Sequence, residues 1–407
     1  MGLRADVAVD VAIIGAGAAG MMAASVAGRR GLRVVLIDHA RRLGEKIRIS
    51  GGGRCNFTNL GTSPAQFLSR NPHFCRSALS AYSPRDFLDL LACHGVAWHE
   101  KHRGQLFCND SSEAVITMLR RECDRGGVQW RMPCSVESIA QAADGFELAT
   151  TQGGVRAARV VLATGGMAIP QLGATDYALK VARQFGLRVI EPRPALVPLR
   201  FEAAAWTGFA SLSGVSLEAG IGVGVPQRAH FLEDVLITHR GLSGPGILQI
   251  SSYWEPGEDV VLDLAPGRDL AHYLLQAKRQ GRQRLLGALA EILPRRLAQH
   301  WLAQEGRGAE LAQTALAELP DKTLRALAAG LQAWSCRPVG TAGWRKAEVM
   351  RGGVDTREID QKTMQVRRVP GLYIVGEALD VTGWLGGYNF QWAWASGVAC
   401  GRALAPG

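Results

Sequence analysis

The chain has 407 residues, of which 47% are hydrophobic and 20% are charged. This length exceeds one ordinary hydrophobic core, so we expect two or three domains, and the 49 glycines follow no three-residue period that would indicate collagen. A formal net charge of +10 favours anionic ligands; the phosphates of a small ligand would satisfy it, and it also leaves an RNA partner open.

The cysteines and histidines argue against a metal site. The eight cysteines form no Cys-x-x-Cys pair, and the nine histidines do not stand beside them at zinc spacing. We therefore expect reduced thiols, no metal and a cytoplasmic location. Residues 7–28 resemble a signal peptide or membrane span in hydropathy, but they include Asp10 and four glycines, so no membrane partner is expected.

The first elements are a strand, a turn, a helix and a second strand. Val7 to Ile14 is apolar and rich in β-branched residues, which predicts a buried parallel strand. Met21 to Arg30 has the composition of a helix, and Arg33 to Ile37 predicts a second strand that ends on Asp38. This order is typical of a doubly wound nucleotide-binding fold.

The turn between strand and helix is Gly15-Ala16-Gly17-Ala18-Ala19-Gly20. Gly15 suits a tight turn, Gly17 lets the backbone approach a pyrophosphate, and Gly20 lets the helix pack on the strand. The helix N-terminus offers free N–H groups to phosphate, and Asp38 can accept hydrogen bonds from an adenosine ribose. The pattern predicts a dinucleotide site; a plain turn without ligand is the alternative.

Two later strands favour FAD over NAD. Val160 to Gly166 is apolar and ends in Ala-Thr-Gly, as flavoproteins often have beside the FAD. Leu372 to Glu377 ends in glycine and an acid and is followed by Asp380, which is typical of a strand that closes an FAD site. Gly220 to Gly224 lacks the spacing of a second fingerprint and predicts a β-turn, so we expect no separate NAD(P)H domain.

The rest of the chain predicts helices at 74–95 and 111–126 and an antiparallel excursion within 128–166. Prolines 192, 194 and 198 mark a domain boundary. The segment from Pro266 to Leu331 carries ten basic and six acidic residues, a net charge of +4, and has helical composition. The predicted strands of the excursion are Val128–Arg131, Ser135–Ile139, Phe146–Thr151 and Arg159–Ala163. The predicted domains are 1–192 (FAD-binding, first part), 193–265 (β-rich insert), 266–333 (helical insert), 334–345 (return of the β-rich domain) and 346–407 (FAD-binding, second part, closing with a helix from Gly387 to Ala403).

Three further blocks are candidate sites. The first block is Ser50-Gly51-Gly52-Gly53-Arg54-Cys55-Asn56. Three consecutive glycines lose much conformational entropy when they are ordered, and a close approach of the backbone to a ligand would explain them. Arg54 is then a candidate phosphate ligand and Asn56 a contact at the flavin edge, whereas Cys55 is either a reactive thiol or, as we favour, a small buried residue. Gly383 to Gln391 predicts a helix N-terminus at the flavin N1/O2 region or an ordinary helix entry. His239, in the polar turn 238–245, is either an acid, base or substrate contact, or a surface or packed histidine.

Together these blocks resemble the BaiN-like flavoproteins, which include aminoacetone-oxidase-like members. The resemblance covers most of the chain. It implies an α/β fold with a discontinuous, Rossmann-like FAD domain of the two-dinucleotide-binding type, an inserted β-rich domain and a helical insert. The tightest matches are Gly15–Gly20, Lys46–Asn59, Ala163–Gly166, Thr238–Pro245 and Gly352–Gly397.

The candidate site residues follow from these motifs and from the resemblance. The resemblance departs at Gly173–Ala178, which lacks a glycine, and at Cys108, where we expect a proline, so it does not identify the substrate. His239, Asn56 and Asn389 are catalytic candidates by position. The predicted FAD contacts are Gly15, Gly17, Ala18, Ala19, Gly20, Asp38, Lys46, Ser50, Gly51, Gly52, Arg54, Cys55, Asn56, Val136, Thr164, Gly165, Gly166, Gly376, Glu377, Asp380, Gly387, Tyr388, Asn389 and Phe390.

Four functions remain open on the sequence. The favoured one is an FAD enzyme that takes hydride from NAD(P)H as a transient donor and reduces an unsaturated or carbonyl small molecule. The alternatives are an amine oxidase using O2, reduction of uridine to dihydrouridine in ribosomal RNA, as the resemblance allows, and a non-enzymatic flavin-binding protein. The sequence does not indicate an oligomeric state.

Overall fold

The computed structural model describes residues 7–224, 228–281, 283–304 and 308–404. It divides into two compact units, Met1–Arg193 with Val349–Gly407, and Pro194–Glu348. The second unit holds both β-rich and helical segments, so the finer predicted division of residues 193–345 into three parts stays a prediction.

Twenty-one strands lie in the described residues. They are β1 (Val7–Ile14), β2 (Val34–Ile37), β3 (Asn56–Asn59), β4 (Phe67–Leu68), β5 (Trp98–His102), β6 (Gln105–Cys108), β7 (Gln129–Arg131), β8 (Val136–Ala142), β9 (Gly145–Thr150), β10 (Val155–Leu162), β11 (Val189–Ala195), β12 (Leu199–Arg200), β13 (Ser216–Val223), β14 (Ala229–Thr238), β15 (Gly241–Ser243), β16 (Val260–Asp263), β17 (Trp334–Cys336), β18 (Gly340–Thr341), β19 (Val349–Val354), β20 (Leu372–Ile374) and β21 (Thr382–Gly383).

Fourteen α-helices accompany the strands in the same residues. They are α1 (Ala18–Arg29), α2 (Glu45–Ile49), α3 (Arg76–Ala81), α4 (Pro84–Cys93), α5 (Glu113–Arg125), α6 (Tyr177–Gln184), α7 (Ala203–Ala210), α8 (Pro245–Ser251), α9 (Leu270–Arg279), α10 (Leu285–Ala290), α11 (Arg295–Leu302), α12 (Gly308–Gln313), α13 (Asp321–Gln332) and α14 (Tyr388–Ala403). None of these helices combines the length and the hydropathy that a membrane crossing requires.

The first unit is built on a parallel sheet. Its strands lie in the order β7-β2-β1-β10, and β20 pairs with the last three residues of β10, Val160 to Leu162. Strands β2 and β20 are buried throughout, and the last residues of β1 and β10 are buried on both faces, which explains their continuous apolar sequence. Because all five strands run the same way, their carboxyl ends meet at one edge, where a doubly wound sheet binds its ligand. The predicted fold class is confirmed.

One predicted strand direction is wrong. Val128–Arg131 was expected within an antiparallel excursion, but β7 pairs parallel with β2, with Ile37 opposite Arg131. Only β8, β9 and the first residues of β10 form the antiparallel part. Helix α5 separates β2 from β7 along the chain, and a helical crossover returns the chain in the parallel direction. A strand of three residues has too little pattern to reveal this by itself.

Helix α14 packs against α1 in the parallel sense. A Cβ at Gly397 would lie 2.6 Å from the carbonyl oxygen of Ala19, and one at Gly401 would lie 2.7 Å from the Cβ of Val26. The absence of these two side chains lets the helices approach closely. The register places the first residues of α14 beyond the start of α1 by about 10 Å, at 1.5 Å per residue. Both helix N-termini therefore lie toward the carboxyl edge of the sheet.

The second unit contains a seven-stranded sheet in the order β17-β16-β13-β14-β15-β12-β18. The β-turn expected at 220–224 is wrong, because Gly220 to Val223 belong to β13, which pairs with both β14 and β16. A Cβ at Gly220 would lie 3.1 Å from Nε2 of His230 on the neighbouring strand. The glycine thus makes room for a cross-strand side chain rather than a turn. Helices α9 to α13 follow β16 in the chain.

Candidate functional site

The turn between β1 and α1 forms the centre of the candidate site. Gly15 has φ +110°, and a Cβ there would lie 2.5 Å from the carbonyl oxygen of Ala163. A Cβ at Gly20 would overlap the carbonyl oxygen of Gly15. Packing within the protein therefore demands glycine at both positions, because each approach is to rigid backbone.

Gly17 differs, because a Cβ there would meet no atom of the described chain within 4 Å. Its φ of −88° is one that any residue adopts, so neither packing nor backbone conformation requires glycine here. Gly17 is the N-cap of α1 and makes no side-chain cap, so the first N–H groups of the helix face this open space. The cradle fits a pyrophosphate, which explains the glycine.

Asp38 follows β2 at the same edge. Its carboxylate accepts a hydrogen bond from Ala16 N–H at 2.6 Å and another from Ala40 N–H at 2.7 Å. Two accepted bonds leave lone pairs free for ribose hydroxyls. The Asp38 carbonyl also accepts from Cys134 N–H at 2.7 Å, which places the segment that leads to the predicted contact Val136 beside Asp38.

Arg131 is a residue that sequence reasoning missed. It ends β7, its carbonyl accepts from Asp38 N–H at 3.1 Å, and only 4% of the residue is exposed. Its Nη1 atom is buried and has no hydrogen-bond partner among the described residues. A charged residue at the end of a predicted strand was the available signal, and an unpartnered buried guanidinium nitrogen on the residue that bonds Asp38 fits a ligand at this edge.

Thr164 to Gly166 follow β10 and meet Glu377 from the end of β20. The Thr164 hydroxyl is buried and has no partner among the described residues, which costs roughly 1–3 kcal/mol unless a ligand pairs with it. The Glu377 carboxylate accepts from Met350 N–H at 2.8 Å and forms an ion pair with Lys46. An orphaned hydroxyl beside a half-buried ion pair fits the polar middle of a bound dinucleotide.

The Ser50–Asn56 block forms a second part of the site. A Cβ at Gly51, where φ is +57°, would lie 2.8 Å from the ring of Phe107. Cys55 is fully buried, and burial raises the pKa of its thiol, so the residue stays protonated and the small-buried-residue interpretation fits. The Asn56 amide lies 3.2 Å from Leu106 O and 3.2 Å from Gly387 N in the orientation that pairs donors with acceptors.

The first turn of α14 is hydrogen-bonded to the glycine-rich loop that precedes it. The Asn389 side chain accepts from Gly383 N–H at 2.8 Å and donates to the carbonyls of Gly383 and Trp384 at 2.9 and 3.3 Å. Tyr388 contacts Phe67 edge-on, and Phe390 stacks on Trp394. The Asn389 amide therefore orders the glycine loop at the helix N-terminus, which is a positioning role.

Two residues that the sequence analysis did not single out hydrogen-bond the backbone of Gly376, which follows β20. Ser396 Oγ accepts from Gly376 N–H at 3.1 Å, and Trp392 Nε1 donates to the Gly376 carbonyl at 3.0 Å. They lie four apart on α14, so they share one face of that helix. This i, i+4 pair of polar groups on a buried helix was the signal that could have found them.

His239 is the predicted site residue that belongs to the second unit. It occupies the exposed turn between β14 and β15 in the second unit. All the other candidates belong to the first unit and gather at the carboxyl edge or in the two glycine-rich blocks. In the described chain, no group of three or more His, Cys, Asp or Glu residues is placed to hold a metal ion.

Asp380 is 5% exposed, and burial raises the pKa of its carboxyl even though Arg70 N–H donates to it at 2.8 Å. The folded protein thus binds this proton more tightly than the unfolded chain, so wild-type stability falls as the pH rises from 3.8 through the raised pKa. We expect Asp380→Asn to make the cofactor-free protein more stable at pH 7, with a gain that shrinks as the pH falls through that window. Urea denaturation at pH 7 and pH 4 measures this.

Asp10→Asn provides the control of opposite sign. The Arg33 guanidinium hydrogen-bonds the Asp10 carboxylate at 2.8 Å and lowers its pKa. This variant should be less stable than wild type at pH 7, and the loss should disappear as the pH falls through the lowered pKa. Equal pH profiles for Asp380→Asn and wild type would contradict the role of burial at Asp380.

Residues 9–403 match the family model described as HI0933-like protein Rossmann domain. The chain is 47% identical to the ribosomal RNA dihydrouridine synthase of Escherichia coli (strain K12), over 97% of this chain and 98% of that one. It is 30% identical to the 3-dehydro-bile acid delta(4,6)-reductase of Clostridium scindens, over 97% and 98%. Among solved structures, it resembles a 3-ketosteroid-delta4-(5alpha)-dehydrogenase from Rhodococcus jostii RHA1 with a TM-score of 0.50 and 14% identity, over 98% of each chain, which shows a shared fold.

Proposed function

Because the chain belongs to the family of HI0933-like Rossmann-domain proteins, an FAD-dependent oxidoreductase family, we propose that it reduces uridine to dihydrouridine in ribosomal RNA with NAD(P)H as the electron donor. The observation that carries this proposal is the 47% identity to the ribosomal RNA dihydrouridine synthase of Escherichia coli over nearly the full length of both chains. The formal charge of +10 supports an RNA substrate. The aminoacetone-oxidase-like part of the predicted resemblance stays a prediction.

When bound, FAD supplies the chemistry of hydride transfer. In the proposal, the turn at Gly17 and the N-terminus of α1 hold its pyrophosphate, and Asp38 holds its adenosine ribose. The Thr164 hydroxyl would gain from FAD the partner that it lacks among the described residues, and the Lys46–Glu377 ion pair lies close to Gly166, two residues further on. The N-terminus of α14, where the Asn389 amide orders the loop, would direct its positive dipole end toward the flavin ring.

Saturation of the uracil C5–C6 double bond needs one hydride and one proton. Of the three catalytic candidates, Asn56 and Asn389 carry amides, which do not donate protons as acids, so we assign them to positioning. His239 is the candidate whose side-chain type can act as a general acid or base. Its exposed turn belongs to the second unit, and its role stays a proposal.

A small unsaturated molecule is the second candidate substrate. The relative with 30% identity is named for reduction of a bile acid, so both named relatives are reductases. This agreement favours a reductase over an amine oxidase that uses O2. The higher identity to the RNA enzyme and the basic charge favour RNA over a small carbonyl or unsaturated molecule.

The test begins with the protein reconstituted with FAD and mixed anaerobically with NADPH and, separately, with NADH. We expect at least one donor to bleach the flavin absorbance. Unmodified ribosomal RNA should then restore the absorbance, and mass spectrometry of the digested RNA should find a uridine heavier by two hydrogen atoms. Ribosomal RNA that already carries the modification is the matched control and should restore little absorbance.

Each other result has a definite meaning. A flavin that is bleached and then reoxidised only by a small enone would support the second candidate. A flavin that neither donor bleaches, but that an amine reduces, would support the oxidase alternative. A bound flavin that no donor or substrate reduces would support the non-enzymatic alternative.

A further inference from the structure

The hairpin of β5 and β6, residues 98–108, lies directly against both glycine-rich blocks of the candidate site. The ring of Phe107 on β6 packs at Gly51, as described above. The Asn59 amide donates to the carbonyls of Arg103 and Gly386 at 3.2 and 3.1 Å, which ties the hairpin turn to the loop before α14. Whatever binds this hairpin is therefore next to the proposed cofactor.

Strand β5 is the free edge of a small sheet. In the described chain the sheet order is β3-β6-β5, and β5 pairs only with β6. Four of its five residues are exposed, and His99 is half-buried. Charged side chains on such an edge disfavour the addition of another strand, so a second β-strand is not the partner that this surface fits.

The chemistry of this edge is cationic and aromatic. Trp98 is 39% exposed although it is a large apolar side chain. Lys101 lies 5.5 Å from the centroid of the Phe107 ring, and His99 stacks on the same ring at 6.1 Å. Glu100 is the one carboxylate in residues 98–108, and it accepts from Gly104 N–H at 2.9 Å within the turn.

Further exposed groups extend the surface around the hairpin. Arg54 is exposed, and its carbonyl accepts from Cys108 N–H at 2.9 Å, so it lies beside the end of β6. Neither Arg54 nor Lys101 forms an ion pair with any residue in the described ranges. The exposed large apolar residues of the first unit, as described, are Ile49, Leu60 and Trp98, and Leu60 N–H donates to the carbonyl of Gly104 in the hairpin turn.

We propose that the β5 edge, formed by Trp98, His99, Lys101 and His102, is the surface that binds a single-stranded or looped RNA segment next to the uridine to be reduced. Proteins hold unpaired bases by stacking them on exposed aromatic side chains and hold the phosphates with cations. The β5 edge presents an exposed indole at Trp98 and a lysine at Lys101 that forms no ion pair among the described residues, next to the glycine-rich blocks of the candidate site. This inference rests on the proposed function, since it names the surface that the RNA substrate uses.

The experiment measures binding of a labelled 12-nucleotide oligouridylate by fluorescence anisotropy, with the FAD-loaded wild type and the variants Trp98→Ala and Lys101→Ala. Loss of one stacked base should weaken binding by at least about fivefold. Lys101→Ala should also reduce the slope of log K against log salt, by about 0.7 for one lost phosphate contact. A 12-base-pair RNA duplex should bind more weakly than the single strand.

Two variants on the same protein serve as matched controls. Arg156→Ala removes an exposed cation from β10, where it pairs with Glu147 at 3.1 Å, and Val261→Ala removes part of an exposed apolar side chain. Both should bind the oligouridylate as wild type does. Flavin content and the rate of flavin bleaching by the nicotinamide donor should stay unchanged in all four variants, which separates RNA binding from folding and from cofactor loss.

The outcomes separate this inference from the proposed function. If the wild type forms dihydrouridine and the Trp98 and Lys101 variants bind RNA as tightly as wild type, the inference is wrong and the function stands. If the wild type binds the oligouridylate through these residues but forms no dihydrouridine, the surface stands and the function is wrong. If the wild type binds no RNA, the inference is overturned.

Discussion

Gly17→Val is expected to weaken FAD binding by at least about 100-fold while leaving the fold intact. The new side chain would enter the open space before α1 that the pyrophosphate needs, and it would meet no atom of the described protein at its Cβ. A hundredfold loss corresponds to about 2.8 kcal/mol of binding free energy. Titration of the cofactor-free protein with FAD, followed by quenching of flavin fluorescence, measures the dissociation constant.

The fold is expected to tolerate this change. Replacing an N-cap glycine by a β-branched residue costs roughly 1 kcal/mol at most, so urea denaturation of the cofactor-free variant should lie close to that of wild type. Gly340→Val is the matched control, because a Cβ at Gly340 also meets nothing within 4 Å and its backbone has no positive φ. Wild-type FAD affinity in Gly17→Val would contradict the placement of the pyrophosphate at this turn.

Trp394→Ala is expected to lower the free energy of unfolding by about 4 kcal/mol. Trp394 is fully buried in α14, stacks on Phe87 with ring centroids 4.6 Å apart, and donates its indole N–H to the carbonyl of Phe57 at 2.8 Å. Truncation leaves a cavity and an unpaired carbonyl in β3, next to Asn56. The change is large against the total stability of an ordinary domain, which is about 5–15 kcal/mol.

Urea denaturation of the cofactor-free protein, followed by circular dichroism, measures this loss. Trp394→Phe keeps an aromatic ring and should cost less than half as much, because only the hydrogen bond and part of the volume are lost. Trp98→Ala makes the same chemical change at an exposed site and should alter the unfolding midpoint little. A loss below about 1 kcal/mol in Trp394→Ala would contradict the packing role of this helix.

The FAD type of site could be predicted from the sequence because its parts are local. Gly20 is demanded by the carbonyl of Gly15 within a single strand–turn–helix unit, Gly15 has a positive φ in the same turn, and Asp38 ends the next strand, so their spacing along the chain carries the information. The same holds for the predicted helix from Gly387 to Ala403, which the structure has as Tyr388–Ala403. The predicted fold class is confirmed, and the predicted family is confirmed at the level of the HI0933-like Rossmann-domain proteins.

Other features were beyond the sequence because they depend on residues far apart in it. The Thr58 hydroxyl donates to Gln391, and Ser396 and Trp392 hydrogen-bond Gly376. These contacts of α14 form only when the helix packs against segments that are far from it in the sequence. Arg131 could not be placed beside Asp38 until β7 proved parallel to β2.

The sequence by itself determined the nucleotide-binding unit, the order of its strands and glycine turns, and the kind of cofactor. The strand–turn–helix unit rests on backbone requirements within about twenty residues, which any fold of this type must meet, whereas FAD was favoured by the two later strands at 160–166 and 372–377. Only the tertiary structure decided that the Asn389 amide is used to order its own loop, that the Thr164 hydroxyl has no partner in the part of the chain that the structure describes, and that the β5 edge lies beside the site. Hydrogen-bond partners and exposure are set by packing between distant segments, and no local pattern records them.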